Sequence, residues 1–450
     1  MNHNCNDDKY NKLIKKNKHI FEKMHNKKSI SIMNFDYSNN LIIVPVSINI
    51  CLTKDKYKID FIKYAKYIIK TLNDGFSGNI NSKYQNEYYN KEYFKKQLQD
   101  KYNKVASKYA EVIHNYINKK TDTKIRFYLE TIEYYNMNFE VKFEDNNTEK
   151  LVNYFNKCGF KIREENKLNL NINIVKFTCS TLGVSIFPWM KYLSKIPNLM
   201  MVFLDYTTIH PDLSKNNFNE CRTLIHEVGH IFGLKHTFYN NQESKDVYKI
   251  LLGKIIYERE FINDINNTNY TNINNDIKSK FKIDKDDIKI ILNKINEKKP
   301  KHQLYNDIPY QKNPTIENPI ETNNYQIINN EVCNFCCFMD YSPDVVLTHF
   351  TESQKRIMYY FIIIFKSYLI SNSKKIESKY FNNNIIKLNI NEKLKINIEN
   401  NSININTHDE YKEYFIQYDD LYSYKFVSNN ENKKIENISK ILSNIINNIN

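Results

Sequence analysis

Long hydrophobic runs are absent from this sequence. The longest run, IMYYFIIIF at residues 357–365, stops at Lys366 and reaches about half the length that a membrane crossing needs. It predicts a buried core helix, and no transmembrane segment is expected. The first thirty residues carry polar or charged side chains at nearly every second position, so they lack the apolar stretch of a cleavable signal peptide.

Cysteine is too sparse for a disulfide scaffold, with 8 residues in a chain of 450. Three of them, Cys333, Cys336 and Cys337, lie close together and include a C-x-x-C spacing. No second C-x-x-C or C-x-x-H lies nearby, which disfavours a second metal site. Free thiols and one local disulfide are the two states that the sequence leaves open.

Glycine is also scarce, with 7 residues, while asparagine, lysine, isoleucine and tyrosine recur in every segment. The 65 Lys and Arg against 51 Asp and Glu give a net charge of +14, which raises the question of a nucleic-acid or anionic membrane partner. The lysines are dispersed, so residue usage explains the charge better and no nucleic-acid partner is expected. With 41% hydrophobic residues the chain can bury a sizeable core, which excludes a wholly disordered protein.

The chain divides into three regions. Residues 1–40 are a polar N-terminal tail or a pro-segment, and a β-branched apolar strand begins at Leu41. Residues 41–371 alternate strand-like and helix-like patterns and are interpreted as one main domain. Strands are predicted at 41–52, 124–134, 168–178 and 199–204, and helices at 64–76 and 84–118.

Two stretches depart from this alternation. Residues from about 241 to 305 begin with a helical pattern and continue as an Asn-rich and Lys-rich sequence, which is typical of an insertion or a long surface loop. Residues 372–450 are interpreted as a β-rich or low-complexity C-terminal extension, because 382–406 alternate apolar and polar residues strictly enough for two or three strands.

The segment with the clearest chemical pattern is TLIHEVGHIFGLKHTF at residues 223–238. It contains the full H-E-x-x-H-x-x-G-x-x-H pattern, with fixed positions at His226, Glu227, His230, Gly233 and His236. Residues four apart lie on the same face of a helix, so His226 and His230 can offer two imidazole nitrogens to one ion.

The other fixed positions complete a metal site with an open coordination position. Glu227 lies one step around the helix, where its carboxylate can take a proton from water beside the metal. Gly233 supplies the non-helical backbone that ends the helix, so that His236 can return as a third ligand. Three histidines with an open fourth position are typical of catalytic zinc, whereas structural zinc has four protein ligands.

A second motif follows at NFCCFMDYSPD, residues 334–344. In enzymes with this histidine pattern, a tight turn carrying a methionine runs beneath the metal, and Met339 fits that position. Tyr341 can bring its phenol to the metal or to a developing oxyanion. An isolated Met or Tyr would more often be a packing residue, and it is the pairing with the histidine pattern that favours a functional role.

Together these motifs resemble the pappalysin family of metzincin zinc endopeptidases. The resemblance rests on the histidine segment followed by Thr-Phe, on MDYSPD at 339–344 and on FTESQKRIM at 350–358. Weaker similarities are IIVPVSINI at 42–50, LGVSIFPW at 182–189, which resembles Leu-Gly-x-Ala-x-Phe-Pro, and DIPYQ at 307–311, which resembles Asp-Thr-Pro-x-Gln. The similarity extends over residues 41 to about 370.

The resemblance implies an α+β, metzincin-like fold, in which a twisted mixed sheet with an active-site helix and an irregular lower subdomain enclose a cleft. It implies that His226, His230 and His236 are zinc ligands and that Glu227 is the general base. It also implies that Met339 is the methionine of the turn and that Tyr341 places its phenol near the oxyanion. It also implies that residues 182–187 form an edge strand above the cleft that can pair with an extended substrate. A core strand is the alternative for that stretch.

The chain departs from the family in three respects. Val346 stands where the family commonly has a cysteine, and no cysteine lies between Cys221 and Cys333, so the family's disulfides are not carried over. The long Asn-rich stretch between His236 and Met339 leaves a Ca²⁺ site unassigned. The family is largely secreted, whereas this N-terminus lacks a signal peptide, so localisation stays open.

We therefore predict a zinc-dependent endopeptidase that hydrolyses peptide bonds of a protein or peptide substrate through an activated water, with one Zn²⁺ as cofactor. The alternative is a catalytically silent zinc-binding module that serves in protein interactions. Glu227 disfavours this alternative, because a silent module has no use for that carboxylate. Neither the cleavage-site preference nor the oligomeric state is indicated by the sequence.

Overall fold

The computed structural model describes residues 7–33, 41–52, 61–136, 166–193, 199–239, 242–253, 305, 307–370, 372–373, 385–391, 394–399, 402–407, 414–419 and 423–427. Its α-helices are α1 (Asp7–Lys16), α2 (Lys18–Met33), α3 (Phe61–Ser77), α4 (Lys91–Tyr102), α5 (Ala106–Asn118), α6 (Met190–Leu193), α7 (Arg222–Ile231), α8 (Gln242–Leu252), α9 (Pro319–Thr322) and α10 (Glu352–Phe365). Its strands are β1 (Ile42–Leu52), β2 (Ile125–Asn136), β3 (Leu170–Val175), β4 (Gly183–Ser185), β5 (Met200–Asp205), β6 (Ile327–Ile328), β7 (Glu331–Val332), β8 (Ile385–Asn391), β9 (Leu394–Glu399), β10 (Ser402–Thr407), β11 (Tyr414–Asp419) and β12 (Ser423–Val427).

A mixed sheet lies at the centre of the fold, in the order β12-β11-β10-β9-β8-β2-β1-β3-β5-β4. β2, β1, β3 and β5 run parallel to one another, whereas β4 pairs with β5 in the antiparallel direction. Nearly every residue of β1 is buried, as expected for a parallel strand that is covered on both faces. The predicted α+β class with a mixed sheet is therefore confirmed.

Two hydrophobic cores support this architecture. The main core joins the sheet to helices α3, α7 and α10 and includes Leu72, Val228 and Phe361. The second core joins α4, α5, α9 and β7 and includes Phe94 and Ile113. It forms the subdomain that the resemblance places below the cleft.

The apolar run at residues 357–365 lies in α10, where every one of its side chains is buried. The helix starts earlier than this run, because Thr351 and Gln354 form a capping box that satisfies the first backbone amides. Within the described residues, no helix combines the length and the apolar character that a membrane span requires.

The regions outside the predicted main domain are described in part. Residues 7–33 form α1 and α2, and their Ile14 and Phe21 are fully buried in the main core. The helical patch of the Asn-rich stretch is α8, and most of the remaining stretch lies outside the described residues. Strands β8 to β12 continue the sheet beyond β2 as an antiparallel series, which begins with a parallel pairing of β8 to β2.

Candidate active site

Helix α7 carries the first half of the histidine pattern. It begins after Cys221, whose φ of 61° is left-handed, and the chain turns away from the helix at Gly233, where φ is +89°. A Cβ at Gly233 would lie 2.2 Å from Phe361 Cδ2, so both the conformation and the close approach to α10 require glycine. This turn brings His236 back beside the helix.

The three predicted ligands converge at one point. The Nε2 atoms of His226, His230 and His236 lie 3.1 Å from one another in all three pairs. The residues are 6%, 3% and 1% exposed, respectively. Within the described residues they are the group of histidine, cysteine and acidic side chains arranged to hold a metal ion.

Hydrogen bonds on the far side of two rings determine which nitrogen faces the metal position. His226 Nδ1 lies 2.7 Å from the Phe338 carbonyl oxygen, and His230 Nδ1 lies 2.7 Å from that of Leu234. A carbonyl only accepts, so each neutral ring donates its Nδ1 proton and turns an Nε2 lone pair toward the other histidines. Burial lowers the pKa of His230 to about 4, against the opposing effect of the Leu234 bond, so this ring is neutral at pH 7.

Converging lone pairs need a cation between them, and the spacing fits zinc. Tetrahedral Zn²⁺ with Zn–N bonds of about 2.0–2.1 Å places its ligand nitrogens roughly 3.3–3.4 Å apart. The observed separations of 3.1 Å are close to this value. The carbonyl bonds of Phe338 and Leu234 are of the kind that orient metal-binding histidines.

The side chain of Glu227, on α7, lies beside strand β4. Burial raises the pKa of its carboxyl to about 7, and a hydrogen bond with Ser185 works in the opposite direction. A Cβ at Gly183 would lie 2.9 Å from Glu227 Cγ, so the glycine gives the carboxylate its space. The sequence pattern predicted Glu227 but assigned no role to Ser185.

The methionine turn, residues 338–341, packs against α7. Met339 is fully buried, and a Cβ at Gly229 would lie 2.5 Å from its Sδ, so the helix and the turn are in direct contact. The Met339 carbonyl accepts a bond of 3.2 Å from the Thr237 amide, next to His236. The predicted methionine is therefore located beside the helix that carries two of the histidines.

Tyr341 brings its hydroxyl to the same place. The oxygen lies 3.1 Å from His236 Nε2, and the ring centroids are 4.8 Å apart. The residue is half-buried and also lines the cleft beside Glu227. The six side chains to which the resemblance assigns a role, together with the turn at Gly233, thus lie in one region of the structure.

A buried carboxylate anchors the methionine turn. Asp340 Oδ1 accepts bonds of 3.1 Å from Gln311 Nε2 and from the Thr315 amide. In the same stretch, Asp307 Oδ2 accepts a bond of 3.0 Å from the Ser353 amide at the start of α10. The DIPYQ segment thus ties the turn to α10, a structural role that its sequence did not reveal.

A small cleft opens beside Glu227. Apolar side chains contribute much of its wall, including Leu182, Phe218, Ile316 and Leu347. Asp344 also lines it, and one of its carboxylate oxygens accepts a 2.7 Å bond from the Glu220 amide. Its mixed apolar and polar lining is typical of a site for a substrate side chain.

The six described cysteines are free thiols. Cys333, Cys336 and Cys337 are buried, and burial raises the pKa of both Cys333 and Cys337 to about 12, which makes them poor nucleophiles and ligands. Of the two states left open by the sequence, the structure shows thiols. A Ca²⁺ site is not supported by the described residues.

The residues 182–187 lie at the end of the sheet, since β4 has β5 as its only neighbour among the described strands. This position agrees with the edge strand that the resemblance implied for this stretch. Gly183 on this strand lies beside Glu227, since a Cβ at that glycine would come within 2.9 Å of Glu227 Cγ.

Comparison with known proteins adds little beyond the fold. The sequence matches no protein-family model and no curated protein. Solved structures that resemble it include a promirolysin mutant from Tannerella forsythia, with 14% identity and a TM-score of 0.48 over 80% of this chain and 93% of that chain. Mirolysin in complex with compound 9 has 16% identity and a TM-score of 0.42 over 73% of this chain and 97% of that chain. Mature mirolysin from Tannerella forsythia, in complex with a cleaved peptide, has 15% identity and a TM-score of 0.41 over 73% and 96%.

Proposed function

We propose that this chain is a zinc-dependent endopeptidase of the metzincin type that hydrolyses peptide bonds in protein or peptide substrates. One observation carries the proposal. Three Nε2 atoms converge at 3.1 Å from one another, and the buried Glu227 directly follows His226 on the helix that carries two of the three histidines. This is the donor set of a catalytic metal together with its general base.

His226, His230 and His236 would hold the zinc. When bound, Zn²⁺ supplies a Lewis acid that polarises the scissile carbonyl and acidifies water. Glu227 accepts the proton of the attacking water and then delivers it to the leaving amine. A pKa of about 7 suits a group that must both accept and donate a proton near neutral pH.

The remaining residues bind and orient the substrate. Tyr341 donates its hydroxyl proton toward the oxyanion that develops on the carbonyl oxygen. The outer side of β4 offers backbone groups to an extended peptide, which would add as a further strand beside Glu227. A substrate side chain would then enter the cleft lined by Leu182 and Leu347.

The finer assignment to the pappalysin family rests on the sequence motifs. MDYSPD at 339–344, LGVSIFPW at 182–189 and DIPYQ at 307–311 support it. Each of the three also has a place at this site, as the methionine turn, the edge strand and the anchor of the turn.

The test is cleavage of an unfolded protein by the purified chain, with and without a zinc chelator. We expect cleavage that chelation stops and added zinc restores. Glu227→Gln should hold zinc and be inactive, whereas Glu92→Gln, which removes an exposed carboxylate on α4, should cleave like the wild type. A wild type that binds zinc and cleaves nothing would favour the silent zinc-binding module.

A further inference from the structure

The turn from Gly233 to His236, here called the ligand turn, is held by two tyrosine hydroxyls. The Tyr248 hydroxyl donates to the Gly233 carbonyl at 2.7 Å, and the Tyr305 hydroxyl donates to the Lys235 carbonyl at 2.7 Å. The Lys235 amide donates to both hydroxyl oxygens at 2.9 Å. Two side chains thus bond three backbone groups of one short turn.

These hydrogen bonds are buried. Tyr248 is 0% exposed, Tyr305 1% and Lys235 1%. A buried amide or carbonyl that loses its partner destabilises the fold, because no water replaces the bond. The hydroxyls are therefore needed to keep the ligand turn in this conformation.

The ligand turn orients two of the three proposed metal ligands. His236 follows Lys235 directly, so its ring position depends on the backbone that the hydroxyls hold. The Leu234 carbonyl, within the same turn, lies 2.7 Å from His230 Nδ1 and fixes the orientation of that ring. Displacement of the turn would thus disturb both histidines at once.

Both tyrosines come from the stretch that looks like an insertion in the sequence. Tyr248 lies on α8, and Tyr305 is placed where the chain is again described after that stretch. Their oxygens are 3.5 Å apart, so the two ends of the stretch meet over the ligand turn. The described residues at the two ends of that stretch, α8 and Tyr305, are therefore fixed relative to the proposed metal position.

We propose that Tyr248 and Tyr305 are positioning residues that set the zinc affinity of the site through the ligand turn. The inference rests on the proposed function, since it requires that the three histidines bind zinc. Neither tyrosine touches a substrate or a reacting atom. Their effect should therefore appear in metal binding, before any effect on chemistry.

The experiment measures zinc affinity by competition with a chromogenic chelator, for Tyr248→Phe, Tyr305→Phe and the double variant. Each substitution removes one hydroxyl and keeps the ring in place. We expect each single variant to bind zinc about 10-fold to 100-fold more weakly than the wild type, the range typical of groups that orient metal ligands. The double variant should lose more than the product of the two, because either hydroxyl alone can still accept from the Lys235 amide and only the double variant leaves that amide without an acceptor.

Tyr84→Phe is the matched control. Tyr84 is equally buried, and its hydroxyl donates to Glu321 and accepts from Asn318, each at 2.6 Å, in the second core. It should lose stability without a change in zinc affinity. The unfolding of each metal-free variant is measured alongside, so that general destabilisation is separated from weakened binding.

The outcomes separate the two proposals. If the wild type binds zinc and both Phe variants bind it equally well, the positioning role is overturned and the proposed function stands. Loss of metal-free stability with unchanged zinc affinity would likewise overturn the positioning role, since it leaves the tyrosines a purely structural one. A wild type that binds no zinc would overturn the proposed function and, with it, this inference.

Discussion

At the scale of single residues, the proposed general base depends on its neighbours on β4. Glu227 is buried, and its carboxyl has room only because residue 183 is glycine. Ser185, on the same strand, bonds this carboxyl and thereby favours its ionised form. The stretch LGVSIFPW resembles a family pattern with alanine at this position, so the hydroxyl is a feature of this chain.

Ser185→Ala removes that hydroxyl from the base. We expect kcat to fall by roughly threefold to tenfold, the effect of losing one hydrogen bond worth about 0.7–1.4 kcal/mol, with KM and zinc content unchanged. Steady-state kinetics on a peptide substrate separate kcat from KM. Ser185→Thr keeps a hydroxyl and should therefore recover much of the wild-type kcat. A threonine variant as slow as the alanine variant would contradict a role for the hydrogen bond between residue 185 and Glu227.

The residues of the histidine pattern could be predicted because the pattern is local. His226, Glu227 and His230 occupy one helix, and the spacing alone predicts that the two histidines share a face and that Glu227 lies one step around from them. Ser185 and Tyr248 could not be predicted, because each acts through a contact between residues far apart in sequence. The hydrogen bond of His226 with the Phe338 carbonyl could not be predicted either, since every residue has a backbone carbonyl and the sequence does not mark this one.

At the scale of elements, the segment from 333 to 349 joins the two cores. Phe338 and Met339 belong to the main core, whereas Phe335 and Val346 belong to the second core. The methionine turn is therefore packed from both sides, and its Phe338 carbonyl holds His226 in a fixed orientation. The position of this ligand thus depends on the packing of both subdomains.

Met339→Ala tests this dependence. The side chain is fully buried, so its removal should lower the free energy of unfolding by roughly 2–5 kcal/mol. Zinc affinity should fall as well, because the turn beneath α7 loses its contact with Gly229. Met358→Ala, at an equally buried position on α10, is the control for cavity formation alone. Equal zinc affinity in both variants, measured by chelator competition, would contradict the role of the turn.

Element boundaries were predictable only where the pattern was long. The apolar run of α10 identified the helix, whereas the class of the fold was implied by the family that the motifs resemble. β4 spans three residues, too few for a period of two to be read, and its place at the sheet edge is set by pairing with β5. Tertiary pairing, and not local preference, decides such short strands.

At the scale of the whole molecule, the N-terminal helices are packed on the same core as the active-site helix. Ile14 and Phe21 are 0% exposed, and His25 Nε2 lies 3.1 Å from the Ile250 carbonyl oxygen. Asn11 on α1 also bonds the buried ammonium of Lys235, within the ligand turn. Residues 7–33 therefore contribute to the environment of the third histidine.

Deletion of residues 1–33 should destabilise the protein. It exposes apolar surface around Ile14 and Phe21 and takes the Asn11 amide from Lys235, so we expect a lower Tm and weaker zinc binding. Thermal unfolding and chelator competition, each beside the full chain, check both effects. If residues 1–40 are instead a removable pro-segment, one of the two alternatives that the sequence offers, the truncated chain should keep its stability and gain activity.

The proposed function requires that the three histidines bind one zinc and that Glu227 acts as the base beside it in peptide hydrolysis. The most direct measurement is the zinc content of the purified wild type, Glu227→Gln and His236→Ala, taken with peptide cleavage on the same samples. We expect about one zinc per chain in the wild type and in Glu227→Gln, and much less in His236→Ala, because tight binding needs all three nitrogen ligands. Only the wild type should cleave the peptide. A wild type without zinc, or a Glu227→Gln variant that cleaves at the wild-type rate, would contradict the account.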